Sequence, residues 1–392
     1  MKIATISLYG LLSLAMLLIP ALFPLSFTEN LYSVYVYRLM AMCGLLLFGY
    51  VLFKFIKQRF RYWILALGVF ELFIFTCFSC IKQGINFPEK LILQFQYLNL
   101  YRNTNSVQFD PELSQYDPEL FYTLKPGSHT FSNLEFSTNF SVNSLGVRDD
   151  HNSIKNPKII CLGDSYTMGW GVEHHETFTQ RLEKKTNVKV LNAGVSSYGT
   201  AREKILLDRL QIDSCKLLII QFCDNDLIEN RSFVENNFKL ETSQKEIYKS
   251  SQNINKLRSE YYPFKWSFEV FAKIIRSVTG ITKKRALANV QVPIDAIWLS
   301  DLSKIIDQIQ ESFTGKIILF HLEAFAKEDN YFPKIQSFFE KYPKENLYLF
   351  DAWSHLERED YFYIDGHLKA GGHQKIADGI SMMIEEKKLL GD

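Results

Sequence analysis

Three apolar runs open this chain and set the first limit on its fold: about Ile3 to Phe27, Leu39 to Ile56 and Tyr62 to Ile81. Each is close to the roughly 20 residues that carry an α-helix across the hydrocarbon core of a bilayer. In that medium the backbone must close its hydrogen bonds internally, which selects helix. The spacing predicts three N-terminal transmembrane helices over residues 1–81. The first run is longer than the apolar core of a signal peptide, and no small-x-small cleavage site follows it, so it reads as a retained span. Basic residues give the orientation. Lys54, Lys57, Arg59 and Arg61 cluster between the second and third runs, whereas Glu29 and Arg38 are the charges between the first and second. Basic loops stay cytoplasmic, which puts everything after Ile81 on the periplasmic or extracellular side of a cell membrane. Glu71 lies near the middle of the third run. A carboxyl there faces protein or is protonated, so it marks a contact between membrane helices or with a partner, or a neutral acid paired within the bundle.

The remaining composition excludes some classes. The formal net charge is +1, with 44 basic and 43 acidic residues, so there is no electrostatic footprint for nucleic acid. Cys43, Cys77 and Cys80 fall in the apolar runs, and Cys161, Cys215 and Cys223 at or beside predicted strands. That is the distribution of small buried hydrophobes and not of a disulfide framework. No spacing of His, Cys and carboxylates predicts a metal site, and no cofactor is expected.

Beyond residue 155 apolar strand-like runs alternate with helical ones. Strands are predicted near 158–162, 188–192, 216–222, 316–321 and 346–350, and helices over 176–185, 200–210, 297–313, 332–342 and 372–388. This alternation implies a parallel sheet covered on both faces. Four segments at its strand ends carry the chemistry. Gly163-Asp164-Ser165 follows Ile159-Ile160-Cys161-Leu162 and presents a hydroxyl on a glycine turn, where a nucleophile with backbone N–H groups beside it belongs. Asn192-Ala193-Gly194 lets the backbone approach a ligand closely. Asn225, in Cys223-Asp224-Asn225-Asp226, offers a side-chain NH₂ as an oxyanion donor. Asp365 and His367, in Tyr363-Ile364-Asp365-Gly366-His367, have the types needed for an orienting acid and a general base. His373 is a rival base within the last predicted helix, where packing is the expected role. His174 and His175 read as loop residues.

These four segments, in this order, resemble the blocks of the SGNH (GDSL-like) hydrolase superfamily over roughly residues 156–390. The resemblance implies a three-layer α/β/α, flavodoxin-like fold with a parallel sheet. It implies Ser165 as nucleophile, His367 as base, Asp365 as the residue orienting it, and an oxyanion hole from Ser165, Gly194 and Asn225. Two positions depart from the usual pattern: Cys223 stands where the third block has glycine, and the acid precedes the histidine by two residues instead of three. The implied activity is that of a serine esterase or acyl-ester hydrolase on a lipid or glycan ester. The alternatives are an O-acyltransferase that modifies envelope glycans with a membrane acyltransferase partner, and a non-catalytic scaffold that binds glycan.

The expected layout is a membrane region over 1–81, a leader with short β elements over 82–155, and a hydrolase-like domain over 156–392 interrupted by an insertion at 227–295. The leader is expected to pack beside the active site. Within the insertion, Tyr261-Tyr262-Pro263-Phe264-Lys265-Trp266 and Lys283-Lys284-Arg285 place aromatics beside basic residues. That composition suits a membrane interface or a lid over a cleft.

Overall fold

The computed structural model describes residues 2–22, 31–56, 60–83, 85, 105–279, 296–324 and 330–391. Lys283, Lys284 and Arg285, leader residues 86–104, and Glu29, Lys57 and Arg59 among the charges used for orientation lie outside the described residues. The chain divides into two compact units. One joins residues 1–106 to 249–290, and the other joins 107–248 to 291–392. The insertion is thus shared between them.

In the first unit, α1 (Lys2–Leu22), α2 (Leu31–Ile56) and α3 (Phe60–Lys82) occupy the three apolar runs. Two of them are long and apolar enough to cross a membrane, through Tyr35–Lys54 and Tyr62–Lys82. Of the three expected spans two are found among the described residues; α1 contributes a shorter described apolar stretch, Ser7–Leu22.

The second unit holds the sheet. Two antiparallel hairpins come first, β1 (Ser114–Asp117) with β2 (Phe121–Leu124) and β3 (Gly127–Ser132) with β4 (Ser137–Val142). Five parallel strands follow: β5 (Ile159–Leu162), β6 (Val190–Asn192), β7 (Leu217–Phe222), β8 (Lys316–His321) and β9 (Leu347–Leu349). Their order is β6-β5-β7-β8-β9, and Ile159 lies opposite both Val190 and Leu217. Every residue of β5 and β7 is buried, so both faces must be covered.

Side chains alternate between those faces. Ile160, Leu162, Leu218 and Ile220 pack with Leu206, Leu302 and Ile306, which come from α6 (Thr200–Leu207) and α10 (Ala296–Ser312). Ile159, Cys161, Leu217 and Ile219 pack instead with Phe178, Leu182, Ile376 and Ile380, from α5 (Phe178–Thr186) and α12 (Ala370–Glu386). The result is the expected α/β/α arrangement. The other α-helices among the described residues are the short α4 (Ser165–Met168), α7 (Asp226–Glu235), α8 (Lys245–Ser259), α9 (Lys265–Val278) and α11 (Phe332–Lys341).

The hairpins build a third core. Phe131, Phe136 and Phe140 pack with Met168 and Trp170, just beyond Ser165. The leader from Val107 onward therefore lies against the nucleophile segment.

Candidate active site

β5 ends at Leu162, and Ser165 opens α4 three residues later. Gly163 turns the chain there with φ 155°, and a Cβ on it would overlap Thr167 and come within 2.6 Å of Gln221 Oε1. Asp164 caps the helix by accepting the Tyr166 N–H at 2.9 Å. Ser165 is held, buried, beyond the carboxyl end of β5, which is where ligands bind in open α/β sheets.

His367 comes to it from 202 residues away. Its Nε2 lies 2.8 Å from Ser165 Oγ, and its Nδ1 contacts Asp365 Oδ1. With the carboxylate ionised, Nδ1 carries the proton and Nε2 is left as the acceptor for the serine O–H. The two-residue Asp-x-His spacing therefore brings acid and imidazole together. Trp170 stacks on the imidazole at 4.9 Å with an 18° tilt and donates its Nε1–H to Asp365 Oδ2 at 3.0 Å. Tyr166 lies against the ring at 4.9 Å as well.

Two leader residues that sequence reasoning did not assign support this group. Glu135, buried, accepts the backbone N–H groups of Tyr363, Ile364 and Asp365 at 2.9, 2.8 and 2.7 Å. Burial raises its carboxyl above the usual range even though those bonds favour the charged form. Arg148, fully buried over the Phe140 ring, donates to the carbonyls of Asn139 (3.1 Å), Met168 (3.3 Å), Gly169 and Val172 (2.7 Å). It ties β4 to the end of α4.

The two other predicted oxyanion donors differ in their surroundings. Gly194 lies against α4, and a Cβ there would overlap Met168 N and meet Thr167 C at 2.7 Å. Close approach therefore requires the glycine. Its N–H donates to Asn192 Oδ1 at 3.0 Å, while Asn192 Nδ2 donates to Thr167 O at 3.0 Å. An oxyanion would have to share the Gly194 N–H with that side chain. Asn225 is exposed and its Nδ2 donates to Asp164 Oδ2 at a long 3.5 Å. Cys223 is a core residue beside Tyr166.

The other histidines stand apart. His373 is buried, stacks on Phe178 and accepts the Phe178 N–H through Nδ1 at 3.2 Å; burial, with Arg181 and Arg148 nearby, lowers its pKa to about 3. Burial, with Arg148, lowers His174 to about 4. Asp224, His321 and Glu323 bring ligand-type atoms within 4.8 Å of one another, a grouping that sequence spacing did not reveal. Within it, His321 Nε2 and Asp224 Oδ1 already bond to each other at 3.0 Å.

Neither protein-family models nor curated proteins match this chain. Solved structures do align with it. A G-D-S-L family protein from Desulfitobacterium hafniense, described as lipolytic, aligns at TM-score 0.34 and 14% identity, covering 58% of this chain and 99% of that one. A family 2 carbohydrate esterase with a carbohydrate-binding domain, from Corynascus thermopiles, aligns at TM-score 0.37 and 12% identity over 62% and 69%. A Bacteroides fragilis protein described as an acylhydrolase aligns at TM-score 0.33 and 14% identity over 60% and 93%. Likeness this distant assigns no role to any residue.

Proposed function

We propose that this chain is a membrane-anchored serine ester hydrolase of the SGNH type, acting outside the cytoplasm on a lipid or glycan ester. The observation that carries the reading is the single imidazole of His367, bonded on one side to Ser165 and on the other to Asp365. In this reading Nε2 takes the Ser165 proton as Oγ attacks the ester carbonyl carbon, and the carbonyl π electrons move onto oxygen. The imidazolium, stabilised by Asp365, then protonates the departing alkoxide. Water, deprotonated by the same nitrogen, releases the acid and restores the serine. The Ser165 N–H and Asn225 Nδ2 supply oxyanion stabilisation, with Gly194 joining once its bond to Asn192 is shared. The two long apolar helices serve as the anchor.

A serine-directed phosphonate tests the assignment on purified full-length protein. It should label wild type at Ser165, and neither Ser165→Ala nor His367→Ala at a comparable rate. Asn225→Ala should still label but turn over short acyl esters about 10²–10³-fold more slowly. An unlabelled wild-type chain that is folded and hydrolyses no ester would refute the reading and leave a binding scaffold.

A further inference from the structure

One segment of the insertion packs among the N-terminal helices. In α9, Phe268 and Ala272 share a buried cluster with Leu17 and Ala21 of α1, Ala41 and Leu45 of α2, and Leu67 of α3. Trp266 meets Phe75 and Phe78 edge to face at 6.4 and 5.2 Å. These partners fix a depth. Ala41 and Leu45 lie six and ten residues into the apolar stretch Tyr35–Lys54, about 9 and 15 Å along the axis. Leu67 and Glu71 lie five and nine residues into Tyr62–Lys82, about 8 and 14 Å. In a hydrocarbon core of about 30 Å, a helix docked on these residues is docked near the middle.

Backbone that breaks from helix at such depth survives only where protein satisfies it, and charges there pair with one another. Both conditions are met by named groups. Glu71 Oε1 accepts the Ser267 N–H at 2.7 Å, at the first turn of α9, and Oε2 accepts the Tyr261 hydroxyl at 3.2 Å. Lys265 Nζ donates to Arg258 O and Glu260 O at 2.7 and 3.1 Å, closing carbonyls at the end of α8. Arg38 lies 3.7 Å from Glu260 and over the Tyr262 ring, and Arg276 lies 3.8 Å from Glu269. Ile274 and Val278, one turn apart, are 53% and 80% exposed.

We propose that α9 is a re-entrant helix, docking its Phe268–Ala272 face on the spans inside the bilayer and turning Ile274 and Val278 to lipid acyl chains. This rests on the reading of α2 and α3 as spans. It accounts for Glu71 as the acceptor for the start of a helix embedded beside it.

The test uses full-length protein in nanodiscs of phosphatidylethanolamine and phosphatidylglycerol, with a photo-crosslinking phenylalanine replacing one residue at a time. Ile274 and Val278 are the probes. Leu72, 67% exposed within the α3 stretch, is the control for the span, and Ile228, 79% exposed on α7, the control outside the membrane unit. Phospholipid adducts, read by mass spectrometry, should form at 72, 274 and 278 and be about tenfold or more scarcer at 228, since lipid tails lie only within the hydrocarbon core. Adducts at 72 without adducts at 274 and 278 would overturn the re-entrant helix and leave the spans standing. Absence at 72 would overturn the spans themselves, and equal yields at 228 and 274 would overturn the proposal too. Glu71→Leu should cut the yield at 274 severalfold with the yield at 72 unchanged, while Glu71→Gln, which keeps an acceptor for Ser267, should retain most of it. An unchanged yield at 274 in Glu71→Leu would refute the capping role.

Discussion

Replacing Glu135 tests whether the leader positions the proposed catalytic acid. Its carboxylate gathers three backbone N–H groups, the last of them belonging to Asp365 itself. Hydrogen bonds to a charged group contribute about 1.5–3 kcal/mol each. Glu135→Gln keeps one oxygen, which can serve Ile364 and Asp365, but sets an NH₂ group against the Tyr363 N–H; the loss is one charge-assisted bond, about 2 kcal/mol. If that loss is expressed as misplacement of Asp365 and His367, it corresponds to about 30-fold in rate. Glu135→Ala leaves all three N–H groups to water or to nothing, about 4.5–9 kcal/mol, and kcat should fall beyond about 10²-fold. In the proposed mechanism Glu135 touches no substrate, so KM should hardly move. Steady-state hydrolysis of p-nitrophenyl acetate gives the kcat and KM split, phosphonate labelling gives the reactivity of Ser165 separately, and thermal denaturation reports folding. A folded Glu135→Ala protein with wild-type kcat would refute the positioning argument, whatever its melting temperature.

Other substitutions probe the same frame. Gly194→Ala forces a methyl group into the backbone of Thr167 and Met168, so it should destabilise by about 1–3 kcal/mol and abolish labelling of Ser165; an unchanged melting temperature and labelling rate would show that the loop has room. Arg148→Lys replaces a planar fork that serves four carbonyls with a point donor, and should lower stability by about 2 kcal/mol or more in denaturant titration; a loss near zero would contradict the contacts. His373 has a folded pKa lowered to about 3, below its unfolded value. The stability it supports is therefore complete above about pH 6.5 and drains away as pH falls from there towards 3. His373→Gln should flatten that part of the melting-temperature profile, and superimposable profiles would exclude the histidine as its source.

The sheet was legible because its strands carry their own signal: Leu217-Leu218-Ile219-Ile220 can be nothing but buried, and glycine or asparagine follows each strand that feeds the site. His367 lies between Ser165 and Asp365, residues that the sequence pattern singled out from segments about 200 positions apart. Glu135 and Trp170 were not legible. A lone carboxylate between Leu134 and Phe136 has the pattern of a surface residue, and its partners are backbone groups 228 residues onward, which leave no mark on side-chain chemistry. Gly194 was read for its N–H, yet the structure gives it a second reason, contact with α4. Glu71 was recognised as needing a protein partner, but that partner is Ser267 and Tyr261 from the insertion, and no local pattern links positions so far apart.

The order β6-β5-β7 places the strands leading to Gly194 and to Asn225 on either side of the one leading to Ser165. Neighbouring strands are about 4.8 Å apart, so in the proposed mechanism the floor beneath a reacting carbonyl spans two such steps and cannot widen without unzipping the ladder. Accommodation of larger or smaller esters must then be written in the walls, contributed by hairpins and loops that can lengthen freely. A chain built this way can change its diet while leaving its chemistry untouched.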